Sequence, residues 1–300
     1  MCGIAGVLRR NTNDFAVGAT LLAMARTLQH RGADSAGVAV FGGTRSPHLQ
    51  MALPHLTPAP SLPQLNALSA GRIQEVESEN GGFDAQVSLL DQPNSLEDLA
   101  LVRLLEDAFP GATVSSLGER MSVYKAVGMV EELADQIGSL TGTHGIAHLR
   151  LATESRIDPA HAQPFWGRPF FDIAVTHNGH ITNYYKLRQK FEARGFSFAS
   201  HNDSEIIGVY LGDLMEAGAS LFEALDRAKF ELDGSFSFIV ATQNALGVTR
   251  DPLATKPLLY VENDEGVTLG SEPQSLYHAC GADARIREIK PRETKTWALD

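Results

Sequence analysis

Cysteine is almost missing from this chain: its 300 residues carry two, Cys2 and Cys280. Two thiols exclude an iron–sulfur cluster held by this chain alone and give no disulfide framework. A reducing, cytoplasmic setting is therefore expected. Positive charge is scarce as well, with 25 Lys and Arg against 36 Asp and Glu and a net charge of −11. Such a surface argues against a nucleic-acid backbone or an anionic membrane as partner. No uncharged apolar run approaches the roughly 18 residues of a membrane span. The first apolar stretch is short, and Arg9-Arg10 follow it instead of preceding it, the reverse of a secretory signal. Neither standard phosphate-binding glycine loop occurs, so no flavin, nicotinamide or other cofactor site is expected. His144 and His148 are four apart; on a strand that is about 13 Å, too far to share an ion, and no metal is expected.

What is present begins at the second residue, in Met1-Cys2-Gly3-Ile4-Ala5-Gly6. Once Met1 is removed, Cys2 carries a free α-amine, a group with a typical pKa of about 7.7–8.0. That amine can take the thiol proton directly or through one water, without a separate histidine. The competing reading is a small hydrophobe packed near a chain end, which is how free cysteine usually behaves.

Patterning along the chain predicts an apolar strand over 2–8 and a helix capped by Asn13 or Asp14 with Val17, Leu21, Met24, Ala25 and Leu28 inward. A strand follows at Val38–Phe41. Four prolines (Pro54, Pro58, Pro60, Pro63) then mark a surface connection, and the stretch 44–140 reads as an insertion. It contains helices at Ser95–Ala108 and Met129–Ile137 and no chemical motif. Regular patterning resumes with strands at Gly145–Thr153 and Phe170–Thr176, the latter ending in the turn signal Asn178-Gly179. A helix opens at Asn202–Glu205, and Ser220 with Glu223 forms a capping box for another. Strands at 235–242, 246–249, 257–261 and 266–269 complete an α+β chain of helices covering stacked sheets. One domain over 2–300 is the preferred division, with two domains split near 142 as the alternative.

Cys2-Gly3-Ile4-Ala5-Gly6, Gln29-His30-Arg31-Gly32-Ala33-Asp34-Ser35, Ala147-His148-Leu149-Arg150-Leu151-Ala152-Thr153, His177-Asn178-Gly179 and Asn202-Asp203-Ser204-Glu205 occur in that order. Arg250-Asp251-Pro252-Leu253 and Ser271-Glu272 close the series. Together they resemble the class II, N-terminal-nucleophile (Ntn) glutamine amidotransferases, and Ala162-Gln163-Pro164-Phe165 brings the amidotransferase part of glutamate synthase nearest. Two positions depart from the family pattern: Ala33 stands for a proline, and Ala254 for a glycine.

The resemblance implies a four-layer αββα sandwich, the Ntn-hydrolase fold. It implies Cys2 as nucleophile toward the side-chain amide of L-glutamine, through a glutamyl thioester. Asn178 and the Gly179 N–H become an oxyanion pocket. Arg150, assisted by Thr153, is assigned to the substrate α-carboxylate, and Asp203 to its α-ammonium. Residues 273–300 are too few for a second catalytic domain, so a free-standing subunit is expected, passing ammonia to a separate synthase chain. A flavoprotein of glutamate-synthase or N-methylglutamate-synthase type is the first candidate partner, with 44–140 as docking surface. A stand-alone hydrolase of another γ-glutamyl or small amide, or a non-catalytic glutamine-sensing subunit, remains open.

Overall fold

The computed structural model describes residues 2–42, 47–52, 60–79, 84–89, 95–152 and 156–299. Its first elements are β1 (Gly3–Arg9), α1 (Val17–Leu28) and β2 (Ser35–Phe41). Next come β3 (His48–Ala52), α2 (Leu62–Leu68), β4 (Ile73–Glu79), β5 (Asp84–Leu89), α3 (Ser95–Ala108) and β6 (Thr113–Gly118). The middle of the chain supplies β7 (Met121–Val127), α4 (Ala134–Ile137), β8 (His144–Arg150), β9 (Phe165–Trp166) and β10 (Ala174–Ile181). Helices α5 (Tyr184–Glu192), α6 (Glu205–Glu216) and α7 (Leu221–Glu231) lead into β11 (Gly234–Thr242) and β12 (Ala245–Arg250). The chain closes with β13 (Leu259–Asn263), β14 (Gly266–Gly270), α8 (Pro273–Cys280), β15 (Arg287–Glu288) and β16 (Thr294–Ala298).

Two antiparallel sheets face each other: a seven-stranded one in the order β15-β13-β14-β1-β8-β2-β7, and a five-stranded one in the order β16-β12-β11-β10-β9. Strand alternation builds the layers. Ile4 and Leu8 of β1 point between the sheets to meet Ile146 and Ile239, whereas Ala5 and Val7 point outward to Leu21, Met24 and Leu28 of α1. On the other side, Val175, Phe236, Phe238 and Val240 pack under Ile207 and Leu211 of α6 and Leu225 and Ala228 of α7. Helix, sheet, sheet, helix is the expected αββα order.

Several elements differ from the sequence expectation. Helix α1 starts at Val17, with no side-chain cap; the Leu140 carbonyl accepts from the Gly18 N–H at 3.1 Å, serving where Asn13 or Asp14 was expected. Segment 44–140 is not uniform. Strands β4-β5-β3-β6 form a separate four-stranded sheet, but β7 pairs with β2 along its full length and completes the seven-stranded sheet. Side chains of the smaller sheet, among them Leu49, Met51, Val87 and Val114, join the same apolar cluster as Ile4 and Ile146. The strand expected from Phe170 begins at Ala174, because Asp172 sits at φ +50° and turns the chain. Its carboxylate accepts from the Glu119, Arg120 and Met121 N–H groups at 2.9–3.1 Å, fixing the turn between β6 and β7.

Ala254 adopts φ +48°, held by Asp251, whose Oδ1 accepts from its N–H at 3.1 Å. Left-handed backbone costs an L-residue about 1–2 kcal/mol, while glycine adds about 0.5–1 kcal/mol of unfolded-chain entropy. Ala254→Gly is therefore expected to raise stability by roughly 0.5–1 kcal/mol, read as a higher urea midpoint. A lower midpoint contradicts this.

Candidate active site

Strands β1 and β8 set Gly3 opposite Leu149 and Ile4 opposite His148, so the next step of the register brings Cys2 opposite Arg150. Both then share the sheet face that looks toward the second sheet. Cys2 is half-buried. The Leu151 N–H points at its Sγ from 3.4 Å, and the Leu151 carbonyl lies 3.8 Å from the same sulfur. The Cys2 carbonyl accepts from Arg31 Nε at 2.9 Å and from Asn178 Nδ2 at 3.1 Å. Three separate segments thus grip one residue.

The Gln29–Ser35 segment carries much of that grip. Arg31 also pairs with Glu272, which His30 Nε2 approaches to 3.1 Å. Burial opposes ionisation of Glu272, but hydrogen bonds from Arg31 and His30 prevail and hold its carboxyl below the usual range. Gly32 packs so closely on β8 that a Cβ there would lie 2.4 Å from the Arg150 carbonyl carbon. Asp34 secures the chain after β8, its Oδ2 accepting from the Ala152 N–H at 2.7 Å and its own N–H donating to the Arg150 carbonyl at 3.0 Å. Arg150 is 4% exposed, and its guanidinium donates to the Arg156 carbonyl at 2.8 Å. Thr153 lies outside the described residues.

Asn178-Gly179 does not form the expected hairpin turn. Both residues lie inside β10, opposite Ser237 and Phe236 of β11. Antiparallel ladders bond alternate residues, and here Asp251 shows which: its Oδ2 accepts from the Phe236 N–H at 2.9 Å, and its own N–H donates to the Phe236 carbonyl at 3.0 Å. Phe236 faces away from β10, so Gly179 is not bonded to it. On the free edge of β10, the His177 N–H donates to Gln163 Oε1 at 2.6 Å and the Ile181 N–H to Asp203 Oδ2, also at 2.6 Å. Between those two occupied positions the Gly179 N–H points to the open side. Gly179 has φ +142°, and a Cβ would meet the Ser235 carbonyl oxygen at 1.9 Å, which explains the glycine. Asp203 reaches the same edge, with His180 Nδ1 3.4 Å from its Oδ2.

Cys2, Arg150 and Asn178 therefore converge, and Gly179 and Asp203 border them along one strand edge. The sequence offers Arg31 and Asp34 as a supporting polar network, and both do hold main-chain atoms of the site. The Glu272 partner of Arg31 and the bridge from Gln163 to His177 were not legible, because only the fold brings those segments together.

Three histidines of β8 and β10 are deeply buried. Burial pushes His144 down to about 4, His148 to about 3 and His177 to about 4. Folded-state values below the ordinary histidine value mean that the unfolded chain binds these protons first. The stability they confer is present above about pH 6.5 and lost as pH falls toward the folded-state values. Tm is accordingly expected to drop from about pH 6.5 downward, before carboxylates titrate; a flat Tm between pH 7 and 5 would contradict it.

The glutamine amidotransferase domain family matches residues 148–278. A protein described as "Putative glutamine amidotransferase" from Methanothermobacter thermautotrophicus is 34% identical over all of this chain and all of its own length. The glutamine amidotransferase-like protein GlxB of Rhizobium meliloti is 31% identical, over 99% of this chain and 98% of that protein. Among solved structures, the glutamine phosphoribosylpyrophosphate amidotransferase of B. subtilis, complexed with ADP and GMP, superposes with a TM-score of 0.61 at 18% identity. It is matched by all of this chain, which spans 49% of that longer one.

Proposed function

Because the chain belongs to the class II glutamine amidotransferases, we propose that Cys2, freed of Met1, hydrolyses the side-chain amide of L-glutamine and passes the ammonia to a separate synthase subunit. The thiol proton goes to the α-amine of the same residue. Sulfur then attacks the amide carbon, and the oxygen that becomes negative is stabilised by the Asn178 amide and the Gly179 N–H. Collapse breaks the carbon–nitrogen bond, and the ammonium of Cys2 returns its proton so that ammonia leaves. Water attacks the resulting glutamyl thioester, releasing glutamate and restoring the thiol. Arg150, with Thr153, offers a two-pronged match to the substrate α-carboxylate, and Asp203 accepts from its α-ammonium.

The observation that carries this reading is the convergence at Cys2: Arg150 comes opposite it across β1 and β8, and Asn178 reaches its carbonyl from the facing sheet. The test is ammonia release from glutamine together with intact-mass analysis after exposure to a glutamine-like diazo ketone. Loss of Met1, one label per chain and ammonia from glutamine support the proposal. Retained Met1, or ammonia only from other amides, overturns it.

The ammonia acceptor is proposed as a flavoprotein subunit of glutamate-synthase type, on the strength of the Ala162–Phe165 likeness, docked on the 44–140 stretch. The small sheet β4-β5-β3-β6 is the part of that stretch that forms a sheet of its own, apart from the two facing sheets. Co-purification that survives deletion of this sheet excludes it as the docking face.

A further inference from the structure

Buried polar atoms in folded proteins almost always have partners, protein or water. Around the Cys2 end of the sandwich several have none among the described residues: Ser35 Oγ, both ring nitrogens of His148, Thr176 Oγ1 and Asn178 Oδ1. All four residues are 5% exposed or less. They are not scattered. Ser35 belongs to β2, whose Ala39 and Phe41 point between the sheets, and the two-residue period puts Ser35 on that face. His148 shares its face of β8 with Ile146, and Thr176 and Asn178 share theirs of β10 with Ala174, all in the inter-sheet core.

Register brings them to one end of the sandwich. Ser35 stands opposite Arg150, and His148 stands opposite Ile4 on one side and Gly37 on the other. Gly37 makes room on that flank for the Gln163 carbonyl and the Pro164 ring, since a Cβ would lie 2.1 Å from the carbonyl oxygen. From the facing sheet the main chain of His177, the residue before Asn178, comes up against the His148 ring, close enough to favour its charged form, yet without hydrogen-bond geometry. Burial outweighs that contact and keeps the imidazole neutral, down to about 3. A neutral imidazole offers one donor and one acceptor.

We propose that these residues enclose ordered water at the floor of the active site, and that His148, through this water, is a positioning residue for the Asn178 amide. Water is the one ligand that fits: small, and both donor and acceptor as hydroxyls, an amide oxygen and a neutral imidazole require. A water donating to Asn178 Oδ1 fixes the amide plane and so aims Nδ2 at the Cys2 side of the cleft. A flipped amide would present oxygen to a developing oxyanion. The water thus reinforces the Asn178 Nδ2 bond to the Cys2 carbonyl in selecting one of two orientations of equal shape. The inference rests on the glutaminase reading given above, but the water does not.

Two measurements test it. A high-resolution crystal structure of the whole chain should show water bonded to Asn178 Oδ1 and to His148; a dry, collapsed site overturns the proposal whatever the activity. In kinetics, His148→Phe keeps the ring volume and removes both nitrogens. It should lower kcat for glutamine roughly tenfold, below the ~10²–10³ that loss of an oxyanion donor costs, with KM within about twofold. His148→Asn should recover part of the loss, and neither variant should shift the pH profile. Thr176→Val, nearly isosteric, should lower kcat in the same direction and serves if His148→Phe does not fold. Unchanged kcat in the folded variants, or a rise in KM alone, overturns the assignment. Wild-type protein that releases no ammonia from glutamine sinks the functional reading instead, and the crystallographic water then decides the structural claim.

Discussion

Cys2→Ala is expected to abolish ammonia release from glutamine, by at least about 10³-fold, because the acyl intermediate is proposed to form on the Cys2 sulfur. The diazo ketone should leave its mass unchanged, whereas a Cys280→Ser chain should label and turn over as wild type does. The fold should hold, since Cys2 precedes β1 and, among the described residues, its sulfur hydrogen-bonds to the Leu151 main chain. A companion protein carrying a few extra residues ahead of Cys2 keeps the sulfur but turns the α-amine into an amide. It should be as inactive as Cys2→Ala. Activity in the extended protein would mean that another base takes the thiol proton, and activity in Cys2→Ala would end the thioester mechanism.

Asn178→Ala is expected to lower kcat by about 10²–10³ with KM changed no more than a few-fold. Its amide is proposed to serve a charge that exists only after sulfur attacks, so its loss falls on the transition state and not on ground-state binding. The Arg31 contact to the Cys2 carbonyl remains in that variant, so Cys2 itself should stay in place. A rise in KM at constant kcat would reassign Asn178 to substrate binding. Arg150 and Asp203 supply the contrast: both are proposed to hold groups of glutamine that do not react, and their loss should appear mainly in KM.

The layered fold was legible from alternation and helical spacing, because those patterns report which side of an element is buried. Ser95–Ala108 and the Ser220–Glu223 capping box stand where the sequence places them. The Asn178-Gly179 turn was not legible. That pair signals a hairpin only when both residues are free to turn, and here the β11 ladder runs past them while Asp251 occupies Phe236. The sheet over 48–118 was equally hidden, because its strands are short and no chemistry marks them. Likewise the polar floor under Cys2 was invisible: Ser35 and Thr176 look ordinary in sequence, and only the register between facing sheets brings them to His148.

The position of β1 has a consequence for how the protein fails. A chain end is ordinarily the first part of a domain to open, yet β1 is hydrogen-bonded to β14 on one side and to β8 on the other. Freeing the strand that carries Cys2 means unzipping two central ladders, an opening close in cost to global unfolding. Loss of catalysis on heating and loss of the folded state therefore become a single event, with no half-inactivated species in between.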